Sequence, residues 1–120
     1  MINKNYTYAI VGASANPEKY GYKVLVDLLS AGYKAVPVNP RGGEILEQKV
    51  FEDLTELPDL PDVVIFVLQP QVAFQILQKA KKLGIKKFWF QPGSESEEAK
   101  EYCREENLEA VFNACIMIQK

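Results

Sequence analysis

The chain has 120 residues, 48% hydrophobic and 25% charged, which fits a soluble globular protein folded as one domain over residues 1–120. Its net charge is −2, from 14 basic and 16 acidic residues, so nothing in the balance marks a nucleic-acid binder. The absence of histidine excludes His-based triads, Cys–His dyads and most zinc sites.

The first five residues carry no apolar signal segment, and no run reaches membrane-spanning length, so the expected address is cytoplasmic. Cys103 and Cys115 are expected to be reduced thiols, Cys103 in the core.

In chain order, strands and helices alternate. Residues 7–11 read as a buried first strand that stops at Gly12. A helix follows, from about Pro17 or Tyr20 to Ala31, with an apolar stripe of Val24, Leu25, Leu28 and Leu29 and a left-handed cap at Gly32. Asn16-Pro17 reads as its cap and first helical residue. The second strand covers 34–38 and is closed by Pro40, and Gly42-Gly43 marks a loop.

Val50-Phe51 suggests a short third strand. Residues 62–68 contain the run Val63-Val64-Ile65-Phe66-Val67, a central strand buried on both faces. The next helix opens near Pro70 with Val72, Ala73, Ile76, Leu77, Ala80 and Leu83 inward, and Gly84 ends it. A strand at 87–91 has Phe88-Trp89-Phe90 as its apolar heart. Ser94 with Glu97 resembles a capping box for the following helix, Asn107 suits its C-terminal cap, and 109–112 is the last strand.

This alternation implies α/β architecture: a Rossmann-like three-layer αβα fold with a doubly wound parallel sheet of five to six strands. The order 3-2-1-4-5-6 applies if Val50-Phe51 pairs, and a flavodoxin-like 2-1-3-4-5 is the alternative. In both, the ligand crevice lies at the carboxyl ends of strands 1, 2 and 4, where the winding reverses. Three loops meet there: 12–21, 69–71 and 91–93.

Gly12 permits a sharp turn, Ala13 and Ser14 are small enough for close approach to the backbone, and the Ser14 hydroxyl can donate to a phosphate. The second strand ends in Asn39, an amide, where a nicotinamide-binding fold places an acid for the ribose. Tyr20 could shield a ligand. Gln91, polar at a strand end, either touches ligand or bonds a neighbouring loop. Cys115 either sits inert or lies at the crevice mouth.

The motifs Gly12-Ala13-Ser14, Asn16-Pro17, Lys19-Tyr20-Gly21, Gly32-Tyr33, Val36-Pro37-Val38-Asn39-Pro40 and Trp89-Phe90-Gln91, with the late Cys115, resemble the small stand-alone CoA-binding domain proteins. Those are relatives of the nucleotide-binding part of the succinyl-CoA synthetase α subunit. The resemblance runs from Tyr8 to Met117. It implies coenzyme A or an acyl-CoA as ligand, with Gly12, Ala13 and Ser14 around the pyrophosphate and Asn39 and Pro40 flanking the adenosine. The loop 68–72, including Gln69 and Pro70, would line the other side. Many relatives carry Arg or Lys where Gln69 stands, and a missing cation costs about 1 kcal/mol or more of phosphate attraction. Lys19, Lys23 and Arg41 are the candidates for the 3′-phosphate, Arg41 foremost because a guanidinium grips a phosphate bidentately.

The function expected is non-catalytic binding or regulation, with no catalytic residue and no metal, and with a protein partner or a homodimer open. Two other classes remain: an NADP- or adenine-nucleotide-binding redox module using Arg41, and a ligase fragment completed by a partner chain.

Overall fold

The computed structural model describes residues 1–120. Its parallel strands are β1 (Thr7–Val11), β2 (Lys34–Val38), β5 (Val63–Phe66), β6 (Lys87–Phe90) and β7 (Glu109–Val111); β3 (Glu44–Ile45) and β4 (Gln48–Lys49) form a separate antiparallel hairpin. The helices are α1 (Tyr20–Ser30), α2 (Pro70–Lys82), α3 (Glu97–Glu105) and α4 (Ile116–Gln119). The five-stranded sheet runs β2-β1-β5-β6-β7, the flavodoxin-like order. Phe51 adds only one parallel bridge, to Val38. The sixth position is thus reduced to one residue, because the chain between β2 and β5 is taken up by the hairpin and a 3-10 turn at Leu54–Glu56.

Side-chain alternation divides the core in two. Tyr8, Ile10, Val63, Ile65 and Trp89 face Val24, Leu25, Leu28 and Ile116 on one side. Ala9, Val11, Val64, Phe66, Phe88 and Phe90 face Ala73, Leu77, Ala80, Ala99 and Cys103 on the other. Both faces are filled, as the unbroken apolar runs require. Burial pushes the Cys103 thiol up to about 11, so it stays protonated and unreactive near neutral pH. Val72, expected inward, is exposed.

Register brings the functional ends together. Val11 pairs with Val38 on one side and Phe66 on the other, and Phe66 pairs with Phe90. The loops that follow these residues therefore emerge from one edge of the sheet.

Two helix starts differ from expectation. α1 begins at Tyr20 with Lys19 at its cap and no side-chain cap bond. Asn16 instead closes a turn upstream, its Oδ1 accepting from Glu18 N–H at 3.0 Å and its carbonyl from Lys19 N–H at 3.0 Å, a common use of Asn before Pro. The cap of α3 is Ser96, which accepts from Ala99 N–H. Ser94 is buried and accepts from Leu68 N–H at 3.0 Å, tying the loop after β6 to the loop after β5. Gly32, Gly84 and Asn107 all have positive φ, the left-handed conformations expected at those helix ends.

The hairpin tip carries strain. Leu46 and Glu47 have φ of 51° and 68°, the left-handed pair of a tight two-residue turn that normally takes Asn-Gly. Such strain costs roughly 1–2 kcal/mol per residue, and glycine's entropy returns roughly 0.5–1 kcal/mol. Glu47→Gly is therefore expected to stabilise the fold by about 0.5–1 kcal/mol, read as a higher urea midpoint with an unchanged slope.

Candidate functional site

Gly12 sets the turn after β1. Its φ is +103°, and a Cβ there would fall on the Val67 carbonyl oxygen, so only glycine lets β1 end this close to the loop after β5. Gly21 does the matching work on α1, where a Cβ would fall on the Gly12 carbonyl oxygen. The first turn of α1 is thereby seated on the turn after β1.

Between these glycines the N–H groups of Ala13, Ser14 and Ala15 donate to nothing within the protein. Ser14 Oγ accepts from Asn16 N–H at 3.0 Å, which leaves its hydroxyl proton to donate outward. The first turn of α1 holds no acidic residue. Consecutive free N–H donors beside a helix N-terminus form a cradle for an anion.

Asn39 braces this cradle. Its Nδ2 donates to the Ala13 carbonyl at 2.8 Å, and its Oδ1 accepts from Arg41 N–H at 2.8 Å. One half-buried amide thus joins the turn after β1 to the loop after β2.

The loops enclose a groove of about 680 Å³, within the roughly 300–1,000 Å³ range of small-molecule sites. One wall is 12–16 with Lys19, a second is Asn39 with 41–45, and Val67-Leu68 forms the third. Of the residues expected at the site, Gly12, Ala13, Ser14, Asn16, Lys19, Asn39 and Arg41 meet here.

The remaining candidates lie outside this lining. Pro17 and Pro40 are exposed beside it. Tyr20 is 64% exposed with Lys23 Nζ 5.4 Å over its ring, so it faces solvent rather than closing the groove. Gln69 caps α2 through its backbone, and Pro70 borders a separate depression of about 320 Å³ beside Phe74 and Ser96.

Gln91 bonds a neighbouring segment of chain. It is 3% exposed, its Oε1 accepts from Ile116 N–H at 2.8 Å and its Nε2 donates to Cys115 Sγ at 3.3 Å. Both polar ends thus bond the C-terminal segment. Cys115 is held at the start of α4, outside the groove lining.

The wall formed by Gly42, Gly43, Glu44 and Ile45 went unrecognised in the sequence, where Gly42-Gly43 signalled only a loop. Both glycines have positive φ, and they turn the chain back so that the hairpin stands beside the groove. No group of three or more Cys, Asp or Glu side chains is arranged to hold a metal ion. No helix is long and apolar enough to cross a membrane.

Comparison with known proteins places this geometry. Residues 84 long in alignment are 37% identical to the α subunit of an ADP-forming acetate–CoA ligase from Pyrococcus furiosus, covering 65% of this chain and 18% of that subunit. The chain therefore spans under a fifth of the length of that curated relative. A conserved hypothetical protein from Pyrococcus furiosus superposes with a TM-score of 0.91 at 44% identity, covering 96% of this chain and 99% of that one. A hypothetical protein from Pyrococcus horikoshii gives 0.87 at 35% identity, covering 93% and 79%. The model of one family, described as a CoA binding domain, matches residues 6–120, which include the whole sheet and every wall of the groove, and the chain belongs to that family.

Proposed function

We propose that the chain binds coenzyme A or an acyl-CoA in the groove at the carboxyl ends of β1, β2 and β5, as a non-catalytic binding or regulatory protein. The observation that carries this reading is the run of free N–H donors at Ala13, Ser14 and Ala15, held open by Gly12 and Gly21. A pyrophosphate fits such a cradle. Lys19 and Arg41 line the same groove without an ion-pair partner in the protein, and the Arg41 guanidinium would take the further phosphate that distinguishes CoA from simpler dinucleotides. Asn39, an amide already engaged at both ends, offers no carboxylate to the ribose of NAD.

Titration with CoA and NAD during thermal unfolding tests this. CoA at 100 times its dissociation constant adds about 2.7 kcal/mol, which raises Tm by an amount on the order of 10 °C for a chain of this size, while NAD leaves Tm unchanged. Equal shifts from both would reduce the site to a generic adenine-nucleotide cleft. Acetyl-CoA incubated with the purified chain should remain intact. Its turnover would instead favour the second reading, suggested by the ligase relative, of a component that takes part in catalysis.

A further inference from the structure

The third wall of the groove hangs on a side chain that does not line it. Val67 and Leu68 form that wall, just past the end of β5. Val67 N–H still donates to the Val11 carbonyl at 2.9 Å, so Val67 belongs to the sheet. Leu68 is held differently. Gln91 N–H donates to the Phe66 carbonyl at 3.1 Å, and the next rung of a parallel ladder would join Leu68 N–H to the Gln91 carbonyl. That carbonyl instead accepts from Ser94 N–H at 2.9 Å, which closes the turn after β6. The ladder stops there, and Leu68 N–H donates to Ser94 Oγ at 3.0 Å.

Within residues 68–70 this is the one main-chain N–H with a partner in the protein. Gln69 N–H donates to nothing, and Pro70 has no N–H. Leu68 also closes against the turn that carries the N–H cradle, since its Cδ2 lies 3.1 Å from the place of a Cβ on Gly12. Ser94 itself is 3% exposed and stands outside the groove lining.

We propose that Ser94 is a positioning residue of this site. Its hydroxyl holds Leu68 against the turn after β1 and so fixes the spacing between the phosphate cradle and the wall opposite it. A wall fixed before binding spares the ligand the cost of ordering it, which raises affinity. Ser94 acts through Leu68 and touches no ligand atom. This rests on the reading of the groove as a CoA site.

Calorimetric titration with CoA of wild type, Ser94→Ala and Ser96→Ala, well below each Tm, tests it. Ser96 is the matched control: its hydroxyl also accepts a backbone N–H, that of Ala99 at 3.1 Å, and it lies outside the groove. Each variant loses one such bond, and both should lower Tm. Only Ser94→Ala should weaken CoA, by about 3–10-fold, the equilibrium factor of one net hydrogen bond. Amide hydrogen exchange reads the anchor directly. Ser94→Ala should speed exchange at Leu68 relative to Val67, and CoA added to wild type should slow it. Unchanged CoA affinity in Ser94→Ala, or an equal loss in Ser96→Ala, would make Ser94 a structural residue only, and the proposal falls. It falls equally if Ser94→Ala leaves exchange at Leu68 as in wild type, or if CoA does not slow that exchange. A wild-type protein that binds no CoA overturns the reading of the groove itself, and the positioning role with it.

Discussion

Gly12→Val is expected to abolish CoA binding and to lower Tm by an amount on the order of 10–20 °C. Two costs add. Gly12 has φ +103°, a conformation that strains a β-branched residue by roughly 1–3 kcal/mol. Its new Cβ would also fall on the Val67 carbonyl oxygen, which belongs to backbone and cannot swing away; overpacking of this kind costs roughly 1–3 kcal/mol more. A sum of about 2–6 kcal/mol corresponds to a shift of that order at about 4 °C per kcal/mol.

Binding fails for the same reason. Relief of the clash must separate the turn after β1 from Val67 and Leu68, which form opposite walls of the groove. Circular dichroism should show the sheet and helices retained at low temperature, since the sheet itself is untouched. Calorimetry on that folded protein should detect no CoA heat. An unaltered Tm would show that the turn tolerates a side chain, and unaltered affinity would remove it from the site. Gly12→Ala carries the same Cβ and should lie between wild type and Gly12→Val in both measurements.

The size of this effect was only half legible in the sequence. Gly12 after an apolar strand announces a tight turn, and Ala13-Ser14 announces room for a phosphate. The pressure on Gly12, however, comes from Val67, 55 positions away, and no local pattern records that approach. The strands themselves were plain, because Val63, Val64, Ile65 and Phe66 are apolar on both faces and all are fully buried. Three polar residues were harder. Ser94 and Ser96 both suit a helix cap, and tertiary bonding decides between them, since Ser94 is taken by Leu68 N–H. Gln91 sits at a strand end that could face ligand, and only the return of the C-terminal segment turns it inward. The hairpin that forms the second wall has Leu46-Glu47 at its tip, without the Asn-Gly signal by which such turns are recognised.

Asn39→Asp is expected to weaken CoA and lower stability without creating an NAD site, and its pH dependence identifies the cause. The wild-type amide donates to the Ala13 carbonyl and accepts from Arg41 N–H, each at 2.8 Å. An ionised carboxylate keeps the second bond but sets a negative oxygen against the Ala13 carbonyl, where a donor is required. Losing that donor at a half-buried position and adding the repulsion costs roughly 2–3 kcal/mol, and the cradle at Ala13 shifts with it. The protonated carboxyl can still donate, so the fold favours that form and raises the group's pKa above its unfolded value of about 3.9. The sign follows from linkage: relative to wild type, the penalty is present in full above the raised pKa and shrinks as pH falls through it toward the unfolded value. Urea unfolding of both proteins from neutral to mildly acidic pH should show their stabilities converging as pH falls. A difference independent of pH would mean that the Ala13 contact is not what Asn39 supplies. A gain in NAD affinity would mean that residue 39 reads the ribose directly, and the brace between the two loops would then be secondary to that role.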